Sequence, residues 1–127
     1  MKRALLVGID DYDNFDGLAG CVNDVNAMLP LLSRHEDGNP NFDCQTLTSG
    51  MQRVTRDGLL GALSALLGPG ADIGVFYFAG HGAAAQSDVK LVVQDGTTTT
   101  PGVSLSEIMG KGQSSLLREI VIILDCC

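Results

Sequence analysis

The chain has 127 residues, of which 45% are hydrophobic and 18% charged, and its formal net charge is −7. That length fits one domain with one core, and the apolar fraction excludes a disordered tail or linker. Because fifteen acidic residues face only eight basic ones, the chain lacks the positive charge that binds a phosphate backbone, and we expect no nucleic-acid partner.

The predicted elements alternate between strands and helices along the chain. Short apolar runs bounded by turn residues predict three buried strands, and a weaker run predicts a fourth: Ala4–Ile9, Ile73–Phe78, Ile120–Leu124 and, more weakly, Phe42–Leu47. Apolar residues spaced by three and four predict helices over Cys21–Arg34, Leu59–Leu67 (with Thr55 as N-cap and Gly68–Gly70 as stop) and Leu105–Met109. Near-continuous apolar strands suit a parallel sheet covered on both faces, so the order predicts an α/β fold with right-handed crossovers.

No apolar run supports a membrane or secretory segment. The longest uncharged stretches are broken by glycine, proline or histidine and fall short of the roughly 18 residues of a spanning helix. The four cysteines are too few for a disulfide scaffold, and neighbours such as Cys126 and Cys127 rarely pair with each other. These features predict a reduced, cytoplasmic protein without a membrane partner. A structural zinc site is not expected, since neither His35 nor His81 has a partner at zinc spacing.

Polar and reactive side chains follow the predicted strands at their carboxyl ends, where parallel sheets bind ligands. The first strand leads into the acidic stretch Asp10–Asp13, the central one into His81, and the last into Cys126 and Cys127. The acidic stretch, with Asp16, forms either a cation site or a solvated loop. A histidine beside a cysteine raises the thiolate fraction and can later protonate a leaving amine. The two exits therefore predict thiol catalysis.

Each of these residues also has an ordinary structural interpretation. A lone histidine after a strand is usually a loop residue, and a cysteine at a strand end is usually packed in the core. The combination favours catalysis, because Gly80 and Gly82 let the backbone turn sharply on both sides of His81. The amide of Gly82, together with the cysteine's own amide, can then face a developing oxyanion.

Four segments in this order and spacing resemble the caspase-like cysteine peptidases, on their metacaspase and prokaryotic side. They are Arg3–Ile9 with its Asp10–Tyr12 exit, Leu18–Val25, Tyr77–Gly82 and Ile122–Cys127. The resemblance covers nearly the whole chain, residues 1–127, as the catalytic large subunit of that family. It implies a three-layer α/β sandwich, with helices on both faces of a mostly parallel sheet and without the small-subunit part.

The resemblance implies a role for each residue that matches a motif. His81 matches the family's catalytic histidine and Cys127 its nucleophile, with Cys126 as the fallback assignment. The amides of Gly82 and Cys127 would form the oxyanion hole. If Cys126 precedes the nucleophile, its side chain is expected on the opposite side of the extended segment.

The resemblance also implies a specificity. Asp24 and Asp125 match the two acids that line the first specificity pocket of metacaspases. Paired carboxylates bind a guanidinium or an ammonium, so we expect cleavage after Arg or Lys, with Arg favoured by bidentate geometry. Alternatively, Asp24 complements a helix dipole and Asp125 is a turn residue at a strand end. Cys21 would be either a wall of the pocket or part of the core.

The chain departs from the family at three places. Ala79 stands where metacaspases often have a serine before Gly-His-Gly. Only Asp88 and Asp95 precede Glu107 between the His and Cys motifs, so we expect no cofactor and no calcium dependence. The family continues beyond the nucleophile into a small subunit. We therefore expect a large-subunit part of a longer polypeptide, which acts on a protein or peptide substrate together with a separate or missing small-subunit segment.

Two other classes of function are compatible with parts of the sequence. The first is an inactive caspase-like scaffold that recruits or dimerises without cleaving. The second is a receiver-type signalling domain, which also carries paired acids after its first strand. A receiver needs a phosphate-accepting Asp at a third strand exit and a Lys at a later one, whereas His81 occupies the central exit here.

Overall fold

The apolar runs of the sequence form the strands of one parallel sheet. The computed structural model describes residues 1–126. Its elements are, in chain order, β1 (Lys2–Gly8), α1 (Cys21–Ser33), β2 (Asp43–Thr48), α2 (Arg56–Leu66), β3 (Ile73–Gly80), β4 (Gly82–Ala85), β5 (Asp88–Val92), β6 (Gly102–Ser104), α3 (Leu105–Gln113) and β7 (Glu119–Cys126). Across residues 1–126, none of the helices has both the length and the apolar character that crossing a membrane requires.

The main sheet contains four strands in the order β2-β1-β3-β7, and every neighbouring pair is parallel. Tyr77 of β3 lies opposite Leu6 of β1 and Ile123 of β7. Because the strands are parallel, their carboxyl ends meet at one edge of the sheet. The α/β fold and all four strands expected from the sequence are confirmed.

The two faces of the sheet pack against different helices. On one face, Phe76 and Phe78 of β3 join Leu59 and Leu63 of α2 in the larger buried cluster. On the other face, Tyr77 and its neighbours pack against α1, so that a second cluster forms. Strand side chains alternate between faces, and a strand between two helix layers must therefore be apolar at every position. That requirement explains the unbroken apolar run of β3.

Side chains from outside α2 define both of its ends. The Thr55 side chain accepts a hydrogen bond from the Gly58 amide at 3.0 Å, as expected for an N-cap. At the other end, the Arg3 guanidinium donates to the carbonyls of Gly68 at 2.9 Å and Pro69 at 2.6 Å. A cation at this position also complements the negative end of the helix dipole.

A second sheet was not expected from the sequence. Strands β4, β5 and β6 form a small antiparallel sheet that begins directly after His81. Alanine and glycine dominate β4, and both residue types are poor strand formers, so no periodic signal marked it. The strand forms because β5 pairs with it and a reversal at Gln86, whose φ is 56°, closes the hairpin.

Strand β7 was expected to be buried and is instead half exposed. It is the edge strand of the main sheet, and its residues alternate between exposed and partly buried. Val121 and Ile123 remain 45% and 39% exposed on the face that α1 covers further along the sheet. The prediction failed because an apolar run looks the same whether or not another element covers it.

The close approach of α1 to β1 depends on Gly8. A Cβ atom at this position would lie 2.7 Å from the Cys21 carbonyl oxygen and 2.8 Å from Val25 Cγ2. We expect Gly8→Ala to lower the free energy of unfolding by about 1–3 kcal/mol, the usual effect of overpacking. Urea unfolding measures the change. Gly61→Ala is the matched control, because Gly61 lies on exposed α2 surface with open space around it. Equal stability of the two variants would contradict this account of the packing.

Candidate active site

The carboxyl edge of the main sheet brings together the residues that the sequence singled out. Asp10 follows β1, His81 lies between β3 and β4, and Asp125 of β7 lies opposite Ala79 of β3. Cys127, the predicted nucleophile, lies outside the described residues. The described part of the site therefore contains the histidine, the acidic groups and the loop that connects β1 to α1.

The loop after β1 holds the imidazole of His81. The His81 Nε2 atom lies 2.7 Å from the backbone carbonyl oxygen of Asp16. A carbonyl oxygen can only accept a hydrogen bond, so Nε2 carries the proton. In the neutral ring, Nδ1 is then the nitrogen with a free lone pair. The contact therefore orients the ring and leaves Nδ1 as the nitrogen that can accept a proton.

Tyr12 fixes the backbone of the same histidine. The His81 amide donates to the Tyr12 hydroxyl at 2.8 Å, and the two ring centroids are 4.7 Å apart. Burial is the main cause that raises the pKa of Tyr12 to about 12, so the phenol stays protonated at working pH. A Cβ atom at Gly80 would lie 2.6 Å from that hydroxyl. The glycine before the histidine is therefore needed for this contact.

The small sheet sets the direction of the Gly82 amide. The Val92 amide donates to the His81 carbonyl at 3.0 Å, so these two residues form a hydrogen-bonded pair of the antiparallel ladder. Such pairs alternate with pairs that exchange no hydrogen bonds, and Gly82 opposite Leu91 is the next one. The Gly82 amide consequently points away from β5. This orientation leaves it free of the ladder, as an oxyanion donor requires.

Two carboxylates of the β1–α1 loop make structural contacts. Asp10 accepts hydrogen bonds from the amides of Cys21 at 2.9 Å and Val22 at 3.3 Å, and so caps α1, whose N-cap residue is a glycine. Asp13 forms a bidentate ion pair with Arg53, with distances of 3.0 and 2.6 Å. Within residues 1–126, no group of three or more His, Cys, Asp or Glu side chains could hold a metal ion.

Asp10, Asp24 and Asp125 form an acidic cluster around Cys21, the first residue of α1. Burial, and then the charge of Asp10, raise the pKa of the Cys21 thiol to about 12, with further contributions from Asp24 and Asp125. The Tyr77 hydroxyl donates to the Asp125 carboxylate at 3.4 Å. Asp24 and Asp125 are both exposed, whereas Cys21 is partly buried and packs against the core cluster on the α1 side. The two acids expected in the specificity pocket therefore act on the same thiol.

Cys126 ends β7 opposite Gly80. Its side chain packs against the α2-side core cluster, whereas Asp125, one residue earlier, reaches Tyr77 on the α1 side. Cys126 also contributes to the raised pKa of Tyr12, so it lies near that tyrosine. The choice between Cys127 and Cys126 as nucleophile stays a prediction.

Sequence reasoning missed three contributors to this site. The Asp16 contact uses a backbone carbonyl, so no side chain could have revealed it. Tyr12 and Tyr77 were included only as parts of the matching segments, because an aromatic residue after or within an apolar strand is ordinarily a core residue. The tyrosine hydroxyl was the available signal. Because a buried hydroxyl usually has a hydrogen-bond partner, a tyrosine at these positions indicates a polar group nearby.

Comparison with known proteins identifies the family. The sequence model of the protein family described as caspase domain matches residues 1–127. The chain belongs to the caspase-domain family. It is also 34% identical to Metacaspase-1 of Schizosaccharomyces pombe (strain 972 / ATCC 24843) over 86 residues, which are 64% of this chain and 20% of that protein.

A solved structure shows the same fold. Protein GSU0716 from Geobacter sulfurreducens superposes with a TM-score of 0.76 and 18% sequence identity, over 99% of this chain and 50% of that one. The caspase-like α/β fold expected from the sequence is confirmed. The chain spans a fifth of the length of the metacaspase and half of the length of the solved structure.

The negative charge around Cys21 predicts a low reactivity of its thiol. With a pKa of about 12, roughly 10⁻⁴ of this thiol is ionised at pH 8, so iodoacetamide should label it slowly. Asp10→Asn keeps a capping oxygen but removes a charge, and we expect it to speed labelling of Cys21 by about three- to tenfold. Peptide mapping by mass spectrometry reads out each cysteine.

Asp43→Asn is the matched control for this experiment. The pKa of Cys44 is raised by burial and then by Asp43, so this variant should speed labelling of Cys44 and leave Cys21 unchanged. If Asp10→Asn left the labelling rate of Cys21 unaltered, the electrostatic description of the cluster would be wrong.

Proposed function

We propose that the protein is a cysteine endopeptidase that cleaves after basic residues, with His81 as general acid/base and Cys127 as nucleophile. The family match supports a caspase-like peptidase. The observation that carries the proposal is the contact between His81 Nε2 and the Asp16 carbonyl. It leaves Nδ1 as a base at the edge of the sheet where β7 leads towards Cys127.

The reaction follows from these roles. His81 Nδ1 accepts the proton of the Cys127 thiol, and the sulfur attacks the carbonyl carbon of the scissile peptide bond. The amides of Gly82 and Cys127 donate to the oxyanion that develops. When the tetrahedral intermediate collapses, the imidazolium returns its proton to the leaving amine. Water then hydrolyses the thioester with the same histidine as base, and the free thiol is restored.

The acidic cluster supports a preference for arginine and then lysine. Asp24 and Asp125 are exposed, and both raise the pKa values of Cys21 and Tyr77. A substrate cation between two carboxylates makes charge-assisted hydrogen bonds and relieves their mutual repulsion. A planar guanidinium can contact carboxylates in a bidentate way, whereas an ammonium acts as a point charge. The substrate in this proposal is a protein or peptide with a basic residue before the cleaved bond.

We also propose that a small-subunit segment outside residues 1–127 completes the sheet. Among residues 1–126, no strand pairs with the outer edge of β7. Val121 and Ile123 lie exposed on one face of that strand. Covering apolar side chains of this size would stabilise the fold through the hydrophobic effect.

A reducing compartment such as the cytoplasm suits the thiol chemistry, and the three cysteines within residues 1–126 form no disulfide.

The catalytic pair is tested in the protein expressed from its full native reading frame. His81→Ala and Cys127→Ala should each lower kcat/KM for an Arg-containing reporter peptide by at least about 10³-fold. Cys126→Ala is the matched control and should retain activity, because the proposal assigns no chemistry to that thiol. Peptidase activity that survives both of the first two substitutions would overturn the mechanism. Activity lost in Cys126→Ala but kept in Cys127→Ala would reassign the nucleophile.

The specificity is tested with isosteric variants of the acids. Asp24→Asn and Asp125→Asn should each lower kcat/KM for an Arg peptide by about 10- to 100-fold, the range expected for one charged hydrogen bond. Asp57→Asn removes an exposed carboxylate from the first turn of α2 and should change nothing. Reporter peptides ending in Arg, Lys and Asp measure the preference. A wild-type protein that prefers Asp would refute the acidic pocket.

A further inference from the structure

We propose that Tyr77 sets the preference of the acidic pocket for a guanidinium over an ammonium, because its hydroxyl holds the Asp125 carboxylate in a fixed orientation. The inference rests on the proposed function, in which Asp24 and Asp125 receive the basic side chain of the substrate. Tyr77 belongs to no part of the catalytic pair. It acts through Asp125 and is therefore a positioning residue.

The register of the sheet places Tyr77 on the same face as Asp125 and two positions further from the carboxyl edge. On β7, Ile123 lies opposite Tyr77 and Asp125 lies opposite Ala79, two positions nearer the carboxyl edge. All four side chains therefore share the face that α1 covers. The Tyr77 ring is 5% exposed and packs in the cluster beneath α1, so its hydroxyl can reach towards the edge while the ring stays fixed.

The hydroxyl of Tyr77 is directed at the acids and not at solvent. It donates to Asp125 Oδ2 at 3.4 Å. Burial and then Asp125 and Asp24 raise the pKa of Tyr77 to about 12, so the phenol stays a neutral donor at every pH at which the enzyme could work. A neutral donor orients a carboxylate without cancelling the negative charge that attracts the substrate.

This arrangement distinguishes an arginine from a lysine side chain of the substrate. Without a donor beneath it, the Asp125 carboxylate can rotate away from Asp24, since the two charges repel each other. A bidentate contact with a guanidinium requires a fixed carboxylate plane, whereas an ammonium can follow a rotating one. One oxygen of Asp125 bonded to Tyr77 still leaves lone pairs for the ligand. Loss of the hydroxyl should therefore weaken arginine recognition more than lysine recognition.

The kinetic test compares wild type with Tyr77→Phe in the full native reading frame. The variant keeps the ring and loses the hydroxyl, and its unfolding by urea is followed in parallel. We expect KM for an Arg peptide to rise by about five- to tenfold, with kcat within twofold and a smaller change for the Lys peptide. Tyr12→Phe is the contrasting variant. It loses the hydroxyl that holds His81, so it should lower kcat with little effect on KM.

A binding test keeps the inference independent of activity. Calorimetric titration of the Cys127→Ala protein, made from the full native reading frame, measures binding without turnover. Nα-acetyl-arginine amide should bind more tightly than Nα-acetyl-lysine amide. In the Cys127→Ala protein, calorimetry should show that Tyr77→Phe weakens binding of the arginine compound by a similar five- to tenfold factor.

The outcomes separate this inference from the proposed function. If the wild type cleaves after Arg and Tyr77→Phe has the same Arg/Lys ratio, the role of Tyr77 is overturned and the peptidase assignment stands. If the wild type does not cleave but binds the arginine compound through Tyr77, the peptidase assignment fails and the selective pocket stands. Equal binding of the two compounds, or no binding of either, overturns the inference.

Discussion

The parallel pairing of β3 with β1 and β7 is the constraint on which the rest of the site depends. It places Gly8, Ala79 and Asp125 side by side at the carboxyl edge. Hydrogen bonding on both sides of β3 fixes this row, so each exit loop starts from a defined point. The β1–α1 loop can then reach His81, and α1 can begin above Gly8. A shift of one residue in either pairing would move Asp125 to the opposite face of the sheet.

Two neutral tyrosine hydroxyls make hydrogen bonds at this acidic edge. Tyr12 and Tyr77 both keep their protons because burial raises their pKa values to about 12. The Tyr12 hydroxyl oxygen accepts a hydrogen bond from the His81 amide, whereas the Tyr77 hydroxyl donates one to the Asp125 carboxylate. The same residue type thus serves as acceptor beside His81 and as donor beside Asp125. Neither contact adds a positive charge to this edge.

The parts of the structure that repeat along the sequence could be predicted, and the parts that depend on contact between distant segments could not. The four main strands, the three helices and the Thr55 cap followed from apolar spacing and turn residues. The hairpin after His81 did not, because β4 contains only glycine and alanine and forms through pairing with β5. The Asp16 carbonyl carries no side-chain signal, and the exposure of Val121 depends on whether another element covers it.

The β1–α1 loop, residues 9–20, makes the contacts that cap α1 and those that hold the imidazole. Asp10 bonds the first amides of α1, while Tyr12 and the Asp16 carbonyl hold His81. The end of α1 and the His81 imidazole therefore depend on the same loop, and we expect them to open and close as one cooperative unit. A molecule in which this loop has frayed loses the contacts of His81 and the cap of α1 together. In the proposed peptidase, fraying of this loop would therefore abolish activity and would not relax specificity.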